Sequence, residues 1–292
     1  MLQEMLNAAG KSQVVDTERG MIHYLFWPSP AKEGIIFIHG GGAHAHWWDF
    51  IAPAFLPDFQ VAAMDLPGMG DSDWRQRYDA QGFAQDIFAV ASDAGMEKPV
   101  LVCHSFGGLA GLSAAVADAE KLSGLVVADT SLWFLRHGHQ DFPPFYSNAP
   151  YPRLEDALKR FRLVPDQPIC NPDLAAHIAK HSLRKTEEGW QWKFDPLFLR
   201  RSDFSGLLQG VPGISCPLAF VYGEKSCLFP PEAIEHTRRL LPQGTPFFMI
   251  EKAHHHLFLD EPLAFVSTLK AILASWPECG LLAQERRHKE EQ

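Results

Sequence analysis

Ser105 stands in the run Cys103-His104-Ser105-Phe106-Gly107, between the apolar stretch Pro99–His104 and an Ala- and Gly-rich stretch that begins at Gly107. This follows the G-x-S-x-G template of a nucleophile elbow, with Cys in place of the first Gly. A serine on a tight strand-to-helix turn exposes its hydroxyl. Small residues two before and two after it avoid backbone clashes, and Cys103 is still small. The following helix N-terminus turns its free N–H groups and its dipole toward an oxyanion formed when the hydroxyl attacks a carbonyl. The chemistry implied is acyl transfer, which needs a base to take the serine proton and a carboxylate to orient that base.

The chain offers 14 histidines, so both a base and a metal must be considered. His254, His255 and His256 are consecutive, and neighbours on an extended loop point in different directions, a poor arrangement for holding one ion. His137-Gly138-His139-Gln140-Asp141 has an H-x-H-x-D spacing, but Phe142 follows where dinuclear metallohydrolases favour another His. It reads better as a polar loop. No metal and no cofactor are expected. Two carboxylates end apolar runs: Asp129, 24 residues beyond Ser105, and Glu224 in Gly223-Glu224-Lys225-Ser226. Asp at a strand end is also an ordinary turn former.

These residues need elements to hold them. Gly34–His39, Gln60–Asp65, Pro99–His104, Leu122–Asp129, Pro217–Tyr222 and Pro246–Glu251 read as buried parallel strands. Asp79–Gly95, Gly107–Lys121, Pro231–Leu241 and Glu261–Trp276 carry apolar residues at helical spacing. The alternation predicts an α/β fold with a mostly parallel sheet and helices on both faces. Gln13–Trp27, with Glu18-Arg19-Gly20 in its middle, predicts an antiparallel hairpin at the sheet edge. Between Asp129 and Cys216 the alternation stops for more than eighty residues. A structureless loop of that length is rare, so an inserted, mainly helical cap is expected, with helices over Leu154–Phe161 and Asn171–Leu183 and an aromatic run, Trp190–Pro196, broken by proline. The division is core 1–130, cap 131–212, core 213–282 and a charged tail 283–292.

With the elbow, His39-Gly40-Gly41-Gly42, the turn Asp65-Leu66-Pro67-Gly68-Met69-Gly70-Asp71-Ser72 and the region of His255 in this order, the chain resembles the α/β-hydrolase superfamily. The likeness is to the lidded branch that includes haloalkane dehalogenases, epoxide hydrolases and small esterases, and it covers nearly everything outside the cap. It implies His255 as the base, because the family's catalytic His lies seven residues before a proline that opens the last helix, here Pro262. It implies oxyanion N–H groups at Gly41 and Phe106, a structural His39 and a structural turn at Asp65–Ser72. The family's usual acid, in a G-x-x-D pattern, is replaced by Ser226. Some lidded members carry the acid after the strand that follows the elbow helix, which maps to Asp129; Glu224 is the alternative acid. Trp47, Trp48, Trp133 and Phe134 follow strands at the active edge or open the cap and are expected to line the pocket.

Ser105 is not a carboxylate, so the alkyl displacement of dehalogenases is disfavoured. The expected activity is serine hydrolysis of a hydrophobic small-molecule ester, thioester or lactone through an acyl-enzyme, with peracid formation as a side activity. Carbon–carbon bond hydrolysis by the same triad and a non-catalytic small-molecule receptor are the alternatives. Composition excludes other classes. With 46% hydrophobic and 21% charged residues the chain is not disordered, and a formal charge of −9 disfavours a nucleic-acid partner. No apolar run approaches the roughly 20 residues of a membrane span. Five widely spaced cysteines and no evident signal peptide point to a reduced, cytoplasmic setting. No Arg or Lys is placed beside the elbow by the sequence, so a neutral substrate is expected, and no signal sets an oligomeric state.

Overall fold

The computed structural model describes residues 2–56, 58–132 and 149–276. Their frame is an eight-stranded sheet: β1 (Lys11–Thr17), β2 (Gly20–Trp27), β3 (Gly34–Ile38), β4 (Gln60–Met64), β5 (Val100–His104), β6 (Gly124–Ala128), β7 (Leu218–Gly223) and β8 (Phe247–Ile250). The order across the sheet is β1-β2-β4-β3-β5-β6-β7-β8. β3 through β8 are parallel, while β1 and β2 form the antiparallel edge hairpin, closed by Gly20 at φ 119°.

Each central strand feeds two cores by alternation. Ile36, Ile38, Leu101 and Cys103 enter one, and Ile35, Phe37, Val100 and Val102 enter the other. On the first face pack α1 (Ala80–Asp93) and α2 (Phe106–Asp118). α1 begins at Asp79, whose carboxylate accepts the N–H of Gly82 and pairs with Arg19. The second face is covered by the short 3-10 turn Ala45–Trp48 and the last long helix, Pro262–Ser275. Both faces covered by apolar helix stripes is the condition under which parallel strands can be continuously hydrophobic.

The segment between β6 and β7 holds α3 (Pro172–His181), opened by Asn171 and by Pro at its first position, where the missing N–H costs nothing. Helical turns lie at Leu154–Leu158, Phe198–Arg201 and Leu207–Gly210. The sequence reading needs correction here. The helix expected to reach Leu183 ends at His181, and a hairpin that the sequence did not signal follows: Leu183–Thr186 and Gly189–Trp192 pair antiparallel. Gly189, at φ 137°, makes the turn. After α3 follow α4 (Pro231–Leu240) and α5 (Pro262–Ser275). No helix among the described residues is long and apolar enough to cross a membrane. Trp133, Phe134, the His137–Asp141 string and the charged tail lie outside the described residues.

Candidate active site

The elbow is built by close approach. Ser105 caps α2 at positive φ, outside the helical and extended regions (φ 54°, ψ −122°), a strained position for a non-glycine residue. Its N–H donates to Ala128 O at 2.9 Å and its carbonyl accepts the Thr130 hydroxyl at 2.8 Å, so β6 holds the turn from both sides. Gly107 permits the helix to sit on β3, since a Cβ there would lie 2.3 Å from His39 O. Cys103 packs beneath, with room for its sulfur only because Gly111 has no side chain.

Three of the expected residues meet in one chain of hydrogen bonds. His255 Nε2 is 3.0 Å from Ser105 Oγ, and His255 Nδ1 is 2.7 Å from Asp129 Oδ1. Because a carboxylate only accepts, Nδ1 carries the proton and Nε2 is left to accept from the serine hydroxyl. Asp129 is fully buried and turns out of β6 at φ 49°. It accepts two further bonds, from Gly223 N–H at 2.9 Å and from the Ser226 hydroxyl at 2.6 Å. Ser226 is the residue that replaces the family's acid, and here it donates to the carboxylate that arrives from β6. Sequence reasoning missed that role; the one signal was the missing carboxylate itself. Glu224 is exposed and accepts the Lys252 N–H at 2.7 Å, so the structure does not bring it to His255.

His255 sits among neutral rings. His104 donates Nε2–H to His255 O at 2.9 Å, and burial drives the pKa of both His104 and His256 well below the ordinary value. Gln167 of the inserted segment clamps this loop, accepting His256 N–H and donating to Asp260, which also accepts the N–H of His254. His104, His255 and His256 come near enough to suggest an ion, but the ring nitrogens of His255 are committed to Ser105 and Asp129 and one of His104 to a carbonyl.

Gly41 lines the cavity in front of Ser105, together with Gly40, Gly42, Trp47, His256, Phe161, Trp192 and Phe194. A Cβ on Gly41 would lie 2.8 Å from the Phe198 ring, so only glycine fits beneath the inserted segment. Phe106 is the first residue of α2, where backbone N–H groups have no acceptor within the helix; its ring packs on Phe198 and Phe204. The glycine loop is fixed by Asp65. Its carboxylate accepts from Ala45 N–H, Asp71 N–H and His23 Nδ1, and His39 bridges Gly40 O and Leu66 N–H. Burial, the largest single influence, would raise the Asp65 pKa, but the His23 hydrogen bond, the charges of His23 and His39 and the Asp71 N–H together outweigh it and hold the carboxyl well below the usual range.

Two expectations about the pocket are corrected. Trp48 does not reach the cavity. In a 3-10 turn successive side chains diverge by about a third of a turn, so while Trp47 faces the site Trp48 is buried against Phe37, Phe258 and Phe265. Nor is the cavity free of cations, because Arg160 and Arg162 of the inserted segment lie in its lining.

The chain matches the family described as the alpha/beta hydrolase family over residues 35–268. It belongs to that family. Esterase Rv0045c of Mycobacterium tuberculosis is 25% identical over 89% of this chain and 89% of its own length. The pimeloyl-[acyl-carrier protein] methyl ester esterase of Edwardsiella ictaluri is 30% identical over 84% of this chain and 95% of its own. A solved thioesterase domain from the curacin biosynthetic pathway shares the fold with a TM-score of 0.73 and 21% identity, covering 89% of this chain and 99% of that one. The chain is thus a hydrolase of this family.

Proposed function

We propose that this hydrolase cleaves carboxylic esters through Ser105, His255 and Asp129. The observation that carries the reading is the continuous chain of bonds from Ser105 Oγ through the imidazole to Asp129. Ser105 Oγ attacks the ester carbonyl as His255 Nε2 takes its proton. Asp129 keeps the imidazole in the required tautomer and stabilises the imidazolium, and the N–H groups of Gly41 and Phe106 receive the oxyanion. Collapse expels the alcohol, protonated by His255, and leaves an acyl ester on Ser105. Water activated by His255 then releases the acid and restores the serine.

The ester activities of the relatives support this bond class. The lining supports an acyl or alcohol group that is apolar against Trp47, Phe161, Trp192 and Phe194 and carries its polar or anionic end toward Arg160 and Arg162. The test is turnover of nitrophenyl esters of graded chain length, with and without a terminal carboxylate. Wild type is expected to cleave them and Ser105→Ala to lose activity to background. Undiminished cleavage by Ser105→Ala would rule the reading out. If the arginines select an anionic end, Arg160→Gln/Arg162→Gln raises KM for the carboxylate ester alone.

A further inference from the structure

We propose that His46, His177 and His181 form a transition-metal site, of the kind zinc occupies, which fastens the inserted segment to the core. His177 and His181 are four apart on α3 and so share one helix face. His46 comes from the 3-10 turn Ala45–Trp48, in the loop that leads on from the cavity-lining glycines. One ring nitrogen from each of the three lies within 4.8 Å of the others. A tetrahedral ion with Zn–N bonds near 2.0–2.1 Å holds its ligand nitrogens about 3.4 Å apart, so closing the site draws them together by up to about 1.4 Å and turns the rings toward a common point.

The hydrogen bonds around the cluster set each ring for ligation. Asp49 Oδ2 accepts from His46 Nδ1 at 2.8 Å and from His177 Nε2 at 2.7 Å, and His181 Nδ1 donates to His177 O at 2.9 Å. With these nitrogens as donors, His46 Nε2, His177 Nδ1 and His181 Nε2 carry the lone pairs. A carboxylate or carbonyl behind each ligating imidazole is the arrangement that orients histidine on a metal. The rings crowd one another, with centroids 4.0 Å apart for His46 and His181 and 4.4 Å for His177 and His181. The His46 and His177 side chains stay 24% and 21% exposed, which leaves an approach from solvent and a fourth position for water. Three imidazoles suit zinc, nickel, copper or cobalt and not magnesium or calcium.

The test uses the full chain, stripped with a chelator and titrated with zinc chloride against a chromophoric competitor. Wild type is expected to bind one tight equivalent. His177→Gln/His181→Gln is expected to lose at least a hundredfold in affinity and Asp49→Asn about tenfold or more. Cobalt should give visible absorption bands in wild type that vanish in the double variant, and zinc should raise the thermal midpoint of wild type alone. Circular dichroism establishes that the variants fold; if the double variant does not, His46→Gln takes its place with the same expected loss. Absence of tight zinc binding by wild type, or zinc bound with unchanged affinity by the variants, would overturn the proposal.

Discussion

Asp129 receives hydrogen bonds from His255, Gly223 and Ser226, and each of these donors lies more than ninety residues away in the chain. Asp129→Asn presents an amide that cannot hold the same imidazole tautomer, so kcat is expected to fall about 10³- to 10⁴-fold with the circular dichroism spectrum unchanged. Glu224→Gln, at an exposed residue whose carboxylate accepts the Lys252 N–H, should leave kcat within about twofold. Ser226→Ala removes one donor from a buried carboxylate. A hydrogen bond to a charged group is worth about 1.5–3 kcal/mol, so a loss in kcat of about tenfold to a hundredfold is expected from steady-state kinetics on a nitrophenyl ester. If instead Glu224→Gln were crippled and Asp129→Asn active, the acid would be misassigned. The sequence singled out Ser105 because an elbow demands small residues at fixed offsets, and it pointed to Asp129 as the proposed acid because Ser226 cannot replace a carboxylate. It did not disclose that Ser226 donates to Asp129, since that contact exists only once β6 and β7 pair.

At the scale of elements, strand alternation and helix periodicity were readable because each is local. The parallel strands appear within about two residues of their expected bounds, and the edge hairpin pairs Lys11–Thr17 with Gly20–Trp27. What periodicity could not supply was the direction of side chains in short irregular turns. Trp47 and Trp48 are adjacent, yet one lines the cavity and the other fills the core. The hairpin at Leu183–Trp192 was hidden by its brevity and by the helix that runs into it. The elbow itself gives an element-level prediction. In Gly107→Ala the added methyl meets two backbone oxygens, His39 O at 2.3 Å and Ile38 O at 2.8 Å, neither of which can swing aside as a side chain does. α2 must shift on β3, and urea unfolding is expected to show a loss of about 1–3 kcal/mol together with reduced kcat, because Ser105 moves with the helix. An unchanged midpoint would mean that the close crossing does not constrain the turn.

Over the whole molecule, the surplus of histidines is distributed between chemistry and structure. His39, His44, His104 and His256 are buried, and burial lowers the pKa of each below 6.5. The unfolded chain takes up protons at these residues below about pH 6.5 while the folded chain does not, so stability is complete above that pH and declines as pH falls. Each histidine contributes a slope of about 1.4 kcal/mol per pH unit. His23 runs the other way. Burial is the largest single influence and lowers its pKa, but the hydrogen bond to Asp65 and the charges of Asp65 and Asp71 together outweigh it and raise the pKa, so the stability it adds is present below about pH 6.5 and lost as pH rises through the raised value. His181, lowered chiefly by burial as well, joins the four, and these five outnumber the one, so urea midpoints should fall steadily between about pH 6.5 and 5; a flat profile would contradict the burial of these rings. None of this distribution could be read from the count of histidines, because it depends on long-range contacts such as Asp49 with His177, 128 residues apart. The central claim is that Ser105 is a nucleophile activated by His255. Reaction with a fluorophosphonate, read by intact mass and by peptide mapping, tests it most directly. The expected result is a single adduct on Ser105 of wild type, formed at least a hundredfold more slowly in His255→Ala. No adduct, or one formed on Ser105 at an undiminished rate without His255, would contradict it.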